Sequence, residues 1–218
     1  MNPTLQDANE RFDAALQALP LIAILRGLQA AEALAIGSAL VAEGWALIEV
    51  PLNSPQPLRS IEALSRALPN VLIGAGTVLR VDEVRDVHAA GGRLVVAPNF
   101  DAGVVAAALG LGMVCLPGVA SATEAFAALA AGASGLKLFP AEMITPAVVK
   151  ALRAVLPTPA RLLPVGGITP ASMAAYVDAG ANGFGLGSAL YRPGLDAAGV
   201  SANARAFVSA WRACPTRP

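Results

Sequence analysis

A single histidine, His88, and two cysteines, Cys115 and Cys214, stand among 218 residues. That supply is too small for the imidazole and thiolate sets that hold transition metals, so no metal site is expected. A disulfide framework is excluded on the same count. His88 follows Asp86 and Val87 in a helical stretch and reads as a surface residue.

Charge is scarce as well. Charged residues make up 14% of the chain, against about 25% in an average domain. The fifteen basic and fifteen acidic side chains cancel, and no Lys/Arg block supplies the footprint that nucleic-acid binding needs. The uncharged run from Val104 to Thr123 is broken by Gly110, Gly112, Pro117 and Gly118, so it reads as a helix end, a short strand and a turn rather than a membrane span. Met1 to Leu16 carries acidic groups and lacks the basic and apolar regions of a signal peptide. The expected setting is the cytoplasm, and the expected partner is a small molecule.

Apolar residues, in contrast, reach 56%, which implies strands covered on both faces, as in parallel α/β proteins. Eight short apolar runs recur: Leu21–Leu25, Ala46–Val50, Val71–Ala75, Leu94–Ala97, Met113–Leu116, Gly135–Phe139, Leu162–Val165 and Asn182–Leu186. Between them lie helical stretches near 31–43, 57–67, 81–90, 101–109, 121–131, 145–155 and 170–179, with a last one near 201–212. Helix-start signals at Asp82 and Glu83, Asp101, Ser121, Thr145 and Thr169 open several of them. Gly44, Gly91, Gly132 and Gly180 close four.

Eight strand-then-helix units predict one α/β domain spanning 1–218, a (β/α)8 TIM barrel at 19–212. An extra N-terminal helix would occupy 1–18 and a short tail 213–218. A doubly wound open sheet is the alternative.

Chemistry in such a barrel sits at the carboxyl ends of the strands. Polar positions there are Arg26, Glu49, Asn53, Thr77, Asn99, Lys137, Gly166-Gly167 and Gly187-Ser188. Lys137 lies within an apolar strand. If it does not snorkel outward, desolvation lowers its pKa and leaves a nucleophilic amine able to form an imine with a ketone. Glu49 is likewise a charge in an apolar strand, where burial raises the pKa toward a range useful for proton transfer. Even-numbered strands share interior layers, so the two side chains could face each other across the mouth; a structural ion pair is the other reading.

Gly167 after strand seven, with Gly187 and Ser188 after strand eight, fits the place where barrels commonly bind phosphate through backbone N–H groups. Thr77 closes Gly74-Ala-Gly-Thr77 and offers a hydroxyl, although a plain tight turn would also use those glycines. Arg26, after strand one, is the cation best placed for a carboxylate.

The combination of Pro20-Leu-Ile-Ala-Ile-Leu-Arg-Gly27, Glu49-Val-Pro-Leu-Asn-Ser-Pro-Gln56, Gly74-Ala-Gly-Thr-Val78 and Leu136-Lys-Leu-Phe-Pro140 resembles the bacterial class I aldolases for 2-keto-3-deoxy-6-phospho sugar acids, from Leu19 to Trp211. Within that family the chain is most similar to the members acting on the galactonate epimer. The resemblance implies Lys137 as Schiff-base residue, Glu49 as proton-transfer residue and a homotrimer. It also implies cleavage of 2-dehydro-3-deoxy-6-phosphogalactonate to pyruvate and D-glyceraldehyde 3-phosphate without a cofactor. Gluconate-type members typically carry Arg in a Leu-Arg-Thr where this chain has Leu52-Asn53-Ser54, which would leave the carboxylate to Arg26. Activity on the gluconate epimer is the alternative, as is a phosphate-binding isomerase or synthase in which Lys137 never becomes covalent.

Overall fold

The computed structural model describes residues 3–214. Helix α1 (Pro3–Ala18) precedes a strand-and-helix alternation: β1 (Leu21–Ile24), α2 (Ala33–Ala42), β2 (Leu47–Pro51), α3 (Pro57–Ala67), β3 (Leu72–Gly76), α4 (Val81–Ala89), β4 (Leu94–Val96) and α5 (Ala102–Gly110). The second half runs β5 (Val114–Leu116), β6 (Gly118–Val119), α6 (Ala122–Ala130), β7 (Leu136–Leu138), α7 (Pro146–Val155), β8 (Leu162–Pro164), α8 (Met173–Asp178), β9 (Phe184–Leu186) and α9 (Ala197–Ala213).

All strand pairs are parallel and form two curled sheets, ordered β5-β4-β3-β2-β1-β9 and β6-β7-β8. Only Pro117 separates β5 from β6, and proline has no N–H for a ladder. At the other end a lone parallel bridge, Val165 to Gly185, links the strands that follow β8 and form β9.

Alternation along each strand divides the core in two. Outward-facing residues such as Ala23, Ile48, Ile73, Val95 and Leu138 pack beneath the helices. Inward-facing Ile22, Leu47, Leu72, Leu94, Val114 and Leu163 form a second cluster with Ala8, Phe12 and Ala15 of α1. Helix α1 therefore lies over the amino ends of the strands. Arg161 holds it there, pairing with Asp13 and stacking 5.6 Å from the Phe12 ring centre. Full burial of Phe12 contributes about 1.5–3 kcal/mol.

Asp101 caps α5 by accepting from the Val104 N–H, and Ser121 with Glu124 forms a capping box on α6. Thr145 occupies the cap position of α7 without a side-chain bond. Gly44, Gly91, Gly132 and Gly180 take positive φ after four helices. Three boundaries differ from expectation. Helix α8 starts at Met173, because Thr169 and Ser172 close a turn on each other first. Helix α9 starts at Ala197, capped by Asp196, and runs to Ala213, so the tail expected at 213–218 begins one residue later and lies outside the described residues from 215. Strand β6 was not expected at all. No helix among the described residues is long and apolar enough to cross a membrane.

Candidate active site

Inward alternation at the carboxyl ends of the strands places Glu49 on β2 and Lys137 on β7 in the interior, 1% and 5% exposed. Burial pushes the Lys137 ammonium below the usual lysine range, against the pull of Glu49, and the charge of Arg26 lowers it further. Desolvation pushes the Glu49 carboxyl up to about 7, opposed by Lys137 and Arg26. Loss of hydration is the largest cause for both groups and outweighs their mutual attraction, so the charged form of each is disfavoured. Lys137 Nζ also sits 4.8 Å from the Phe139 ring centre, a platform on which an iminium would be stabilised.

Glu49 Oε2 is fully buried and has no hydrogen-bond partner among the described residues. It can occupy that place because β3 ends in glycine: a Cβ at Gly76 would lie 1.4 Å from this oxygen.

Beside Lys137 opens a cavity of about 200 Å³ lined by Arg26, Phe139, Glu142, Gly166, Gly167, Gly187 and Ser188, among others. Gly166 and Gly167 take consecutive positive φ values of 113° and 60°, a backbone that glycine adopts without steric cost. Ser188 is exposed at the rim, and its carbonyl accepts from Arg192 Nε at 2.8 Å. The expected glycine turns after the last two strands thus share one cavity with the lysine.

Arg26, exposed after β1, reaches across the neighbouring strand ends. Its Nη1 donates to Asn53 Oδ1 at 2.6 Å and its Nη2 to Thr77 Oγ1 at 3.5 Å. Thr77 has φ of 56°, unusual for a branched residue, and meets the site through Arg26 rather than in the cavity lining. Asn99 is not brought into this group, and His88 lies half-buried on α4, away from it. Among the described residues no three His, Cys, Asp or Glu side chains converge to hold a metal.

Sequence reasoning missed Glu142 and Gly76. The Glu142 carboxylate rests on the glycine turn, 2.4 Å from where a Cβ of Gly166 would lie. Its spacing of five residues from Lys137 across Pro140 carries no periodic signal.

A buried lysine, a buried carboxyl group and two glycine turns at the carboxyl ends of the strands form a set suited to imine chemistry on a phosphorylated ketone. Comparison with known proteins shows the family. The family model "KDPG and KHG aldolase" matches residues 12–202. The chain is 49% identical over 195 residues to a probable 2-dehydro-3-deoxy-6-phosphogalactonate aldolase of Rhizobium meliloti, covering 89% of this chain and 92% of that one. It is 48% identical over 195 residues to the 2-dehydro-3-deoxy-6-phosphogalactonate aldolase of Escherichia coli, covering 89% and 95%. A solved structure described as native KDPGal superposes with a TM-score of 0.88 at 48% identity, over 89% of this chain and 95% of its own. The chain belongs to the KDPG and KHG aldolase family.

Proposed function

We propose that this protein is a Schiff-base aldolase that cleaves 2-dehydro-3-deoxy-6-phosphogalactonate to pyruvate and D-glyceraldehyde 3-phosphate. The observation that carries the reading is the buried Lys137, its ammonium disfavoured by desolvation, beside a cavity ending in the Gly166-Gly167 and Gly187-Ser188 turns. Relatives sharing about half their residues bear the name of that activity. Activity on the gluconate epimer has weaker support.

Neutral Lys137 attacks the C2 ketone, and loss of water gives an iminium. Glu49, directly or through a water, removes the C4 hydroxyl proton as the C3–C4 electrons flow into the iminium. D-Glyceraldehyde 3-phosphate departs. The enamine left on Lys137 is protonated at C3 and hydrolysed to pyruvate. The iminium is the electron sink, so the chemistry requires neither a metal nor an organic cofactor. The glycine turns and Ser188 hold the phosphate, and Arg26, steadied by Thr77, holds the carboxylate.

The same reading takes residues 19–212 as one eight-stranded (β/α)8 barrel, with β5 and β6 as one strand broken at Pro117 and α1 as an added helix. Closure would run through the Val165–Gly185 bridge. It further takes the protein as a cytoplasmic homotrimer of single-domain subunits; exposed Leu79, Phe126 and Met143 leave apolar surface that subunit contacts would cover.

Borohydride added with pyruvate tests the central step. Inactivation with one reduced pyruvyl adduct on Lys137 is the expected result. Labelling of another lysine, or none while activity persists, would refute it.

A further inference from the structure

Arg26 is solvent-exposed and extends from a loop. An arginine arm in that situation carries rotamer entropy, which a ligand must freeze out on binding. Here the arm has two side-chain partners. The contact to Asn53 Oδ1, at 2.6 Å, is the short bond, and the one to Thr77 Oγ1, at 3.5 Å, is at the limit of hydrogen bonding. The next residue strengthens the grip: Ser54, buried, accepts from the Gly27 backbone N–H through its hydroxyl at 2.9 Å. Asn53 and Ser54 thus hold Arg26 and Gly27, side chain and backbone, from a neighbouring strand end.

The chemistry of the acceptor matters as much as its place. A guanidinium has five N–H donors, and these two bonds leave the others free for a bidentate carboxylate. An amide oxygen orients the fork without neutralising it, whereas a carboxylate at the same position would pair with the charge.

We infer that Asn53 is a positioning residue, a neutral acceptor that presents the Arg26 guanidinium to the substrate carboxylate with its charge intact. This rests on the reading of Arg26 as carboxylate ligand.

The test compares Asn53→Ala and Asn53→Asp, alone and with Arg26→Ala, by KM and kcat for substrate and by half-saturating pyruvate in borohydride trapping. Because Asn53 is exposed, thermal melts serve to verify folding of each variant. Asn53→Ala should raise KM and half-saturating pyruvate about three- to tenfold with kcat held, the scale of one hydrogen bond. Asn53→Asp, nearly isosteric and still able to accept from Nη1, should raise them further by charge pairing. Asn53→Ala should have no added effect once Arg26 is alanine, since coupled residues fail to add.

An Asn53→Asp enzyme that binds as well as wild type would overturn the proposal, because a purely structural bond survives that change. So would an unchanged Asn53→Ala enzyme, or additive effects of the two alanine substitutions. If Arg26→Ala itself leaves KM and pyruvate saturation unchanged, the carboxylate reading fails instead.

Discussion

The carboxylate of Glu49 rests on the bare Cα of Gly76: a Cβ there would lie 1.4 Å from Oε2, well inside covalent contact range. The two residues sit on adjacent strands, Pro51 pairing with Gly76 two positions beyond Glu49. Gly76→Ala should therefore expel the carboxylate from its dry seat toward water. Its pKa should fall toward the ordinary carboxylate value, and the limb of the kcat–pH profile assigned to Glu49 should move to lower pH. Rates should drop on the order of 10²–10⁴, as when an acid–base group is removed, with pyruvate trapping on Lys137 retained. A profile unchanged in shape would show that Gly76 is only a turn residue.

Burial of Glu49 also makes stability depend on pH. Folding raises its pKa from 4.5 to about 7, so the folded state holds the proton more tightly than the unfolded one. The group's favourable contribution is complete below 4.5 and is lost as pH rises through 7. Glu49→Gln cannot ionise, so its Tm should match wild type at about pH 4 and exceed it at about pH 8. Loss of the attraction on Lys137 opposes this gain, but desolvation is the larger cause. A variant less stable than wild type at alkaline pH would contradict the assignment. Cleavage should still slow on the order of 10²–10⁴.

At the proposed phosphate turn, Ser188→Asp should raise KM for phosphorylated substrate while trapping of unphosphorylated pyruvate survives. Glu142→Gln should act oppositely, lowering KM by about two- to fivefold, because an exposed like charge beside the turn is removed and solvent limits the gain. Measuring both variants with and without the phosphate on the substrate separates a phosphate site from misfolding, which would damage all reactions alike.

The galactonate substrate should be cleaved with a higher kcat/KM than the gluconate epimer, since the two differ at C4, whose hydroxyl must meet Glu49. Arg26→Ala should cost about 1.5–3 kcal/mol of substrate binding, the range for hydrogen bonds to a charged group. Arg26→Lys should recover only part, lacking the planar fork. Preference for the gluconate epimer, measured on purified enzyme, would reverse the assignment.

Strand positions were legible because interior strands, covered on both faces, read as apolar runs: Leu94–Val96 and Leu162–Pro164 fall inside the expected segments. Lys137 and Glu49 stood out for the same reason, as charges where none belonged. Strand β6 escaped notice because two residues after a proline give no pattern. The start of α9 was hidden by Gly199, a poor helix former, whose N–H binds the Asp196 cap. The roles of Asn53, Gly76 and Glu142 depend on which loops meet in space. Nothing in residue spacing encodes the approach of Arg26 to Asn53, 27 positions away, or of Glu142 to Gly166.

Helix α1 gives the interior a floor. With Phe12 fully buried among Ile22, Leu47, Leu72 and Leu163, the amino end of the strands is filled, and the cavity beside Lys137 opens at the rim where Ser188 is exposed. Whatever forms a bond to Lys137 is walled in by whatever occupies the rim. In the proposed reaction the phosphorylated aldehyde would then leave before bulk water releases pyruvate, and in the synthetic direction pyruvate would enter first. Aldehydes with longer tails would project outward through the rim, so chain length should be tolerated better than branching near the carbonyl.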